Sequence, residues 1–440
     1  MSPGLRRREK NTTRFQIPYV DRLLDVEVPE RNLIFDVAPR DVPPVEDFDG
    51  TLRRALSHPI GTPPLAQMLR PGMKVIIISD DNTRITPTKQ LIPILLDFLN
   101  EAGIPDKNIQ IIISSGTHRA MTPAELDEKY GQPVMSRVPI LPHRYKDPDS
   151  LVSYGTTRRG TKILVNRHVV EADFCIAVGN IIPHHPTGWS AGAKAVLPGV
   201  GGEETVAQMH FLGSKDPALG RLDTEMRREM EDYAEKVGLN FILNVILNRE
   251  GGLVGAVAGH FIHAHRAGVE ISKGVYGVPI PELADMTLSS TSPVDFDFFQ
   301  GDKGITSAEL STRPGGEIVL VSGCLEGVSP THPELAEYVG KMTNPRIWDM
   351  ARQGKAPDPL TAAEAIVIND IKARMDITIA SEGLSPELCA QMGFRHVPPA
   401  ALDSYLYSRL AEDPALKIGI LRHSAEVLPI PFDPNGEKST

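Results

Sequence analysis

Three histidines lie where their neighbours could put them to chemical use: His118 in SSGTHR (114–119), His184 in NIIPHHPTGWSAGAKAVLPGVGG (180–202), and His210, sixteen residues beyond Lys194. An imidazole gives or takes a proton near neutral pH and is also a common metal ligand. The glycines around Lys194 allow close backbone approach to a bound group. DDNTR (80–84) brings Asp81, Asn82, Thr83 and Arg84 to the loop before a helix N-terminus, where an anionic group is favoured. DFFQGDKG (297–304) sets Gln300 and Lys303 one helical turn apart if it opens a helix, a spacing that can clamp a carboxylate. Each residue has an ordinary reading as well: a satisfied partly buried histidine, a surface charge, a turn glycine, or, for Asp81, a helix cap. Together these segments point to chemistry, because they follow apolar runs in the way that ligand-binding loops follow parallel strands.

The elements that must position them are legible from the same pattern. KVIIISD (74–80), IQIIISSG (109–116) and ADFCIAVGN (172–180) read as buried strands. TPTKQLIPILLDFLNEAG (86–103) reads as the helix between the first two, capped by Thr86, with Pro87 in its first turn and ending at Gly103. Strand, helix, strand implies a parallel α/β unit. A charged helix follows at 222–238, then a hairpin over 241–259 whose turn contains Gly251 and Gly252. Segment 276–285, with two prolines and a glycine, reads as a linker, after which GEIVLVSG (316–323), helices around 332–371, MDITIAS (375–381) and KIGILRH (417–423) restore α/β alternation. The expected fold class is α/β: two α/β domains with mostly parallel sheets and an active site in the cleft between them. The expected boundaries are 1–275, a linker at 276–285, 286–423, and a tail at 424–440.

A chain of 440 residues is long enough for two domains, and a net charge of −10 disfavours a nucleic-acid partner. Arg6, Arg7 and Arg8 are not followed by the apolar run of an export signal, and no apolar run is long enough to span a bilayer. Three widely spaced cysteines without CxxC pairing fit a reducing, cytoplasmic setting. Gly188-Trp189-Ser190-Ala191-Gly192 matches the G-x-S-x-G hydrolase pattern, but PHHPT separates it from the strand it should directly follow. The GAK segment lacks the P-loop order, since Ala195 follows Lys194.

Taken in order, the D-x-T-R loop at Asp81–Arg84, GTHR at 116–119, PH-x-x-x-G-x-S-x-G-x-K at 183–194, His210, and Q-x-x-K at 300–303 resemble the nickel-pincer lactate racemases and their 2-hydroxy-acid racemase and epimerase relatives. The resemblance covers most of the chain. It implies nickel and a pyridinium-3-thioamide-5-thiocarboxylic acid mononucleotide, the nickel-pincer nucleotide, bound covalently to Lys194, with His210 as a nickel ligand. It further implies His118 and His184 as the acid and base pair, Arg84 and Lys303 on the substrate carboxylate, and Asp81, Asn82, Thr83 and Gln300 lining the cofactor or substrate. The partners implied are a small 2-hydroxy acid and the enzymes that make the cofactor and insert nickel. The chemistry is coherent: a proton alpha to an ionised carboxylate is very weakly acidic, whereas hydride removal, with a base taking the hydroxyl proton, gives a flat 2-keto acid whose two faces call for two bases. The chain departs from the better-known lactate racemases at Trp189, at Ala191-Gly192 and at Phe299, where those proteins carry Phe, Gly-Gly and Tyr. Two other readings remain: a non-catalytic protein of this fold that binds a hydroxy acid or the cofactor, and a serine hydrolase using Ser190.

Overall fold

A computed structural model describes residues 11–432 apart from residue 217. The basic segment carrying Arg6–Arg8, and residues 433–440 of the expected tail, lie outside the described residues. The chain divides into two compact units, one of residues Arg40–Val275, the other of the described residues up to Pro39 together with those from Tyr276 onward.

The Arg40–Val275 unit is built on a six-stranded sheet in the order Leu253–Gly259, Leu239–Leu247, Phe174–Asn180, Val75–Asp80, Ile109–Ser114, Ile140–Leu141. All neighbours run parallel except the first pair, the expected hairpin. Val75, Ile76, Ile77 and Ile78 are all buried, so this central strand is covered on both faces and needs no polar alternation. Helix Thr88–Glu101 covers one face through Leu91, Ile92, Leu95, Leu96 and Leu99, all buried. At about 1.5–3 kcal/mol per buried aliphatic side chain, that stripe outweighs the cost of Pro93 inside the helix. Thr86 is not the cap expected from the sequence. Pro87 occupies that position, and the Thr86 hydroxyl instead donates to Asp80 Oδ2 at 2.5 Å, a charge-assisted bond stronger than a neutral cap.

The other unit has a six-stranded sheet in the order Arg395–Val397, Asp376–Ala380, Thr312–Val321, Ala284–Ser290, Ile418–Leu421, Leu33–Val37, parallel throughout. Two expected boundaries change here. Residues up to Pro39 do not join the first unit: Leu33–Val37 forms the edge of this sheet. The hairpin Thr12–Tyr19/Arg22–Pro29 buries Ile17, Tyr19, Val26 and Val28 in the same core as Met286, Leu288 and Val319. Segment 276–285 is not a linker either, because Gly277–Ile280 pairs in parallel with Leu428–Pro431, part of the expected tail, and Ala284 already begins a central strand. The prolines that suggested a linker are tolerated because the pairing is only two strands wide. Among the described residues no helix is long and apolar enough to cross a membrane.

Candidate active site

The carboxyl ends of three neighbouring strands in the Arg40–Val275 unit carry the candidate chemistry. Directly after Val75–Asp80, Asp81 is 2% exposed and accepts from Thr83 N at 3.1 Å and from the Thr83 hydroxyl. His118 follows Ile109–Ser114, and its Nδ1 lies 2.7 Å from Asp81 Oδ2. Burial alone would raise the Asp81 pKa. The hydrogen bonds from His118 and Thr83 and the nearby charges of His118 and Arg84 overcome that and hold the carboxyl well below the usual carboxylate range. An ionised Asp81 can only accept, so the His118 proton sits on Nδ1 and Nε2 is its basic nitrogen.

The loop around Asp81 is pinned from below by a residue the sequence reading did not single out. Lys129, buried, lies 3.2 Å from Asp80 Oδ1 and donates to Arg84 O at 2.6 Å and Thr86 O at 3.1 Å. The Arg84 guanidinium donates to Thr83 O at 3.0 Å and remains partly exposed. Asn82 is exposed and gives its carboxamide to Glu125 at 3.0 Å.

His184 belongs to a two-residue ladder, Pro183–His184 against Gly188–Trp189. The Thr187 hydroxyl donates to Trp189 O at 3.1 Å, so towards His184 Nδ1, also 3.1 Å away, it can only accept. This puts the His184 proton on Nδ1 as well. The hairpin is fastened by Arg227, fully buried, which donates to Thr187 O at 2.6 Å and also to Trp189 O. Gly188 is obligatory: its φ is +77°, and an added Cβ would stand 1.7 Å from Arg221 O.

The Lys194 segment is sewn to the same sheet edge. Ser190 Oγ donates to Asn180 O at 2.6 Å and accepts from Ile182 N at 2.9 Å, while Ser190 O accepts from His265 Nε2 at 2.8 Å. Gly192 N donates to Asn244 Oδ1 at 3.1 Å, and Ser114 Oγ donates to Ala195 O at 2.9 Å. The hydrolase pattern at Ser190 therefore describes a structural serine, buried and committed to backbone groups rather than to a histidine ring.

His210 lies on helix Glu203–Gly213 with Nδ1 2.8 Å from Val206 O, which fixes the proton on Nδ1 and the lone pair on Nε2. An imidazole held by a carbonyl in this way is arranged as metal-ligating histidines are. His185, beside it, is pushed down to about 4 by burial and by the nearby His210, so it is a neutral buried ring. Asn180, 2% exposed, has neither end of its carboxamide partnered among the described residues. Among those residues no group of three or more His, Cys, Asp or Glu could hold a metal.

In the other unit Asp297 caps the turn Phe298–Gly301 by accepting from Gln300 N at 2.8 Å, and Lys303 Nζ donates to Gln300 Oε1. The sequence-derived residues thus fall into local sets: Asp81–Thr83–His118 with Arg84, the stretch carrying His184 and Lys194, His210 on its helix near His185, and Gln300–Lys303. Reasoning from sequence missed Lys129, Thr187, Asn180 and Arg227. Arg227 lies in the charged helix at 222–238, which reads as a solvated face, Lys129 lies in a segment without a sequence signal, and only the fold shows both to be buried.

Residues 19–220 match the family described as the lactate racemase N-terminal domain. A lactate racemase of Lactiplantibacillus plantarum is 33% identical over 283 residues, 63% of this chain and 66% of the relative. One of Thermoanaerobacterium thermosaccharolyticum is 32% identical over 282 residues, with the same shares. The chain therefore spans just under two thirds of the length of these curated relatives, at 66%. The solved lactate racemase apoprotein from Thermoanaerobacterium thermosaccharolyticum superposes with a TM-score of 0.85 over 95% of this chain and 100% of that one, at 25% identity. A Thermotoga maritima protein shares the fold, with a TM-score of 0.68 at 20% identity over 89% of this chain and 100% of its own. By its N-terminal match, its relatives and its fold, the chain is similar to the lactate racemases.

Proposed function

We propose that this protein is an isomerase, a racemase or epimerase of a small 2-hydroxy acid, that interconverts the configurations at C2 through a 2-keto acid and carries a nickel-pincer nucleotide on Lys194. The observation that carries the reading is the matched pair of imidazoles: His118 held by Asp81 and His184 held by Thr187, each with its proton on Nδ1 and its basic nitrogen at Nε2.

The residues present fit the cofactor. His210 offers Nε2 to a metal, Asn180 offers an unpartnered donor and acceptor at the strand end to which Ser190 is tied, and the lack of a multidentate side-chain cluster among the described residues suits a metal that arrives with most of its ligands. When bound, the group supplies an electrophilic carbon able to accept the substrate's C2 hydride and return it. One imidazole Nε2 takes the hydroxyl proton as C2 becomes planar, and the other returns a proton to the oxygen when the opposite configuration forms. Arg84 neutralises the substrate carboxylate, and the Gln300–Lys303 pair offers a cationic contact for a carboxylate in its own unit. The cofactor-making and nickel-inserting enzymes are the partners this requires. A cytoplasmic location suits them and the three buried free thiols.

The test is an intact-mass spectrum and metal analysis of protein produced together with the cofactor-making enzymes, followed by chiral analysis of a hydroxy-acid panel. An adduct lost in Lys194→Ala, nickel in the purified protein and racemisation of at least one substrate are expected. Racemisation by nickel-free, unmodified protein would overturn the cofactor assignment.

A further inference from the structure

The helical turn bearing Gln300 and Lys303 packs against a loop to which the hydroxy-acid reading gives no task. Phe298 N and Phe299 N donate to Gly327 O and Val328 O, each at 3.0 Å, so residues 327–332 run alongside the start of that turn. Where this loop ends, the His332 ring lies 4.9 Å from the Phe299 ring, centroid to centroid. His332 is 8% exposed, and its Nδ1 is 2.7 Å from Asp358 Oδ2. The other oxygen, Asp358 Oδ1, caps helix Pro359–Lys372 by accepting from Leu360 N at 3.0 Å and Thr361 N at 3.3 Å. Burial works against the charge on Asp358, but the His332 hydrogen bond and charge prevail and keep it below the ordinary carboxylate range. It therefore accepts from Nδ1, and Nε2 has no protein hydrogen-bond partner among the described residues.

A buried histidine kept only for packing needs no fixed tautomer. Here a capping carboxylate, itself immobilised by two backbone N–H groups, fixes one, next to an aromatic ring that offers no competing hydrogen bond. Phe299, Gln300 and Lys303 are all partly exposed, so the neighbourhood is open to a ligand. We propose that His332, oriented by Asp358, determines specificity: its Nε2 accepts a hydrogen bond from a hydroxyl carried at C3 or beyond, so the preferred substrates are 2-hydroxy acids with a hydroxyl tail rather than the methyl tail of lactate. This rests on the hydroxy-acid reading above. A site that hydrogen-bonds a substrate oxygen disfavours the analogue lacking it, because its own polar group is left unpaired.

The experiment measures kcat/KM of the cofactor-loaded enzyme for lactate, glycerate and malate, in the wild type, His332→Leu and Asp358→Asn. Asparagine caps helices as well as aspartate does, so the last variant tests the dyad without removing the cap. The expected result is a wild-type preference of about 10-fold or more for glycerate over lactate. That ratio should fall to about one in His332→Leu and decline partly in Asp358→Asn. Malate is the control: its ionised tail carboxylate cannot donate to Nε2, so it should show no such preference over lactate. A wild-type preference for lactate, or a ratio unchanged in His332→Leu, overturns the proposal. Should His332→Leu fail to fold, the ratio in Asp358→Asn decides, an unchanged value counting against it. Adduct-bearing wild-type enzyme that turns over none of the three acids would instead bring down the hydroxy-acid reading itself.

Discussion

The two units follow the same topological rule and treat charge in opposite ways. In Arg40–Val275, the groups at the strand ends are fixed one by one: Asp81 on His118, Thr187 on His184, Val206 O on His210, with buried Lys129 and Arg227 holding the loops through backbone carbonyls. The buried histidines nearby, His143, His185 and His265, are neutral rings. In the other unit the candidate residues follow strand Ala284–Ser290, and Lys303 sits among acids: burial pushes both Asp302 and Glu364 well above the carboxylate range, with Lys303 opposing the shift. On the function proposed above, the first unit would move protons between fixed points and the second would supply a recognition surface whose charge is adjustable.

The largest effects should come from disabling the first unit. Lys194→Ala is expected to abolish both the covalent adduct and racemisation, read by intact mass and chiral chromatography. His210→Ala should leave the adduct and weaken nickel retention, read by metal analysis after dialysis; unchanged nickel content would remove His210 as a ligand. His118→Ala and His184→Ala should each lower net racemisation by about 100-fold or more, the usual scale for loss of a general acid or base. They should differ in single turnover: hydride transfer should survive for one enantiomer in the first variant and for the other in the second. Loss of the same enantiomer in both would end the two-base assignment.

Smaller effects should follow from loosening the supports. Asp81→Asn leaves a hydrogen-bonding group of the same shape but no charge, so His118 can take the wrong tautomer. A fall in kcat of about 10- to 100-fold, smaller than in His118→Ala, is expected. In the recognition unit, Lys303→Met should act mainly on KM, raising it by about 10-fold, the size expected for losing one charge-assisted contact of about 1.5 kcal/mol. A pure kcat effect would move Lys303 from recognition into the chemical step.

How much of this was readable beforehand depends on the range of the interaction. The Val75–Asp80, Ile109–Ser114 and Phe174–Asn180 strands were plain because a strand buried on both faces writes itself as a continuous β-branched run. The hairpin ending at Gly259 was equally plain from its glycine turn. The N-terminal strand Leu33–Val37 was not, because its partner Ile418–Leu421 lies almost 400 residues away in sequence and nothing local encodes that pairing. At the site, residue types marked His118, His184, Lys194 and His210. The bonds that choose a tautomer, from Asp81, Thr187 and Val206 O, depend on angles that only the fold sets. Arg227 stayed hidden because MRREMED reads as a solvated helix face, and its burial reflects the demand of two hairpin carbonyls.

The subtlest consequence of the contrast is in stability against pH. In Arg40–Val275, burial depresses His143 to about 4, against a weaker opposing bond to Gly201 O, and depresses His265 to about 3, with Arg227 adding to the effect. A depressed histidine contributes stability that is present above its unfolded pKa near 6.5 and is lost as pH falls through the folded value, since the unfolded chain takes up protons that the folded one refuses. For His143 alone the difference is on the order of 3 kcal/mol. In the other unit the sign reverses: Asp302 and Glu364 are raised by burial, so their contribution is present at acidic pH and lost as pH rises above the ordinary carboxylate range. The two tryptophans, Trp189 and Trp348, fall one in each unit and can report separately. With Trp348→Phe, urea unfolding followed by Trp189 fluorescence should shift to lower urea between pH 7 and pH 5. With Trp189→Phe, the Trp348 signal should hold its midpoint or move to higher urea over the same interval. If both midpoints fall together by the same amount, the units do not differ in how they store charge, and the division between a proton-moving unit and a charge-tuned recognition unit loses its physical basis.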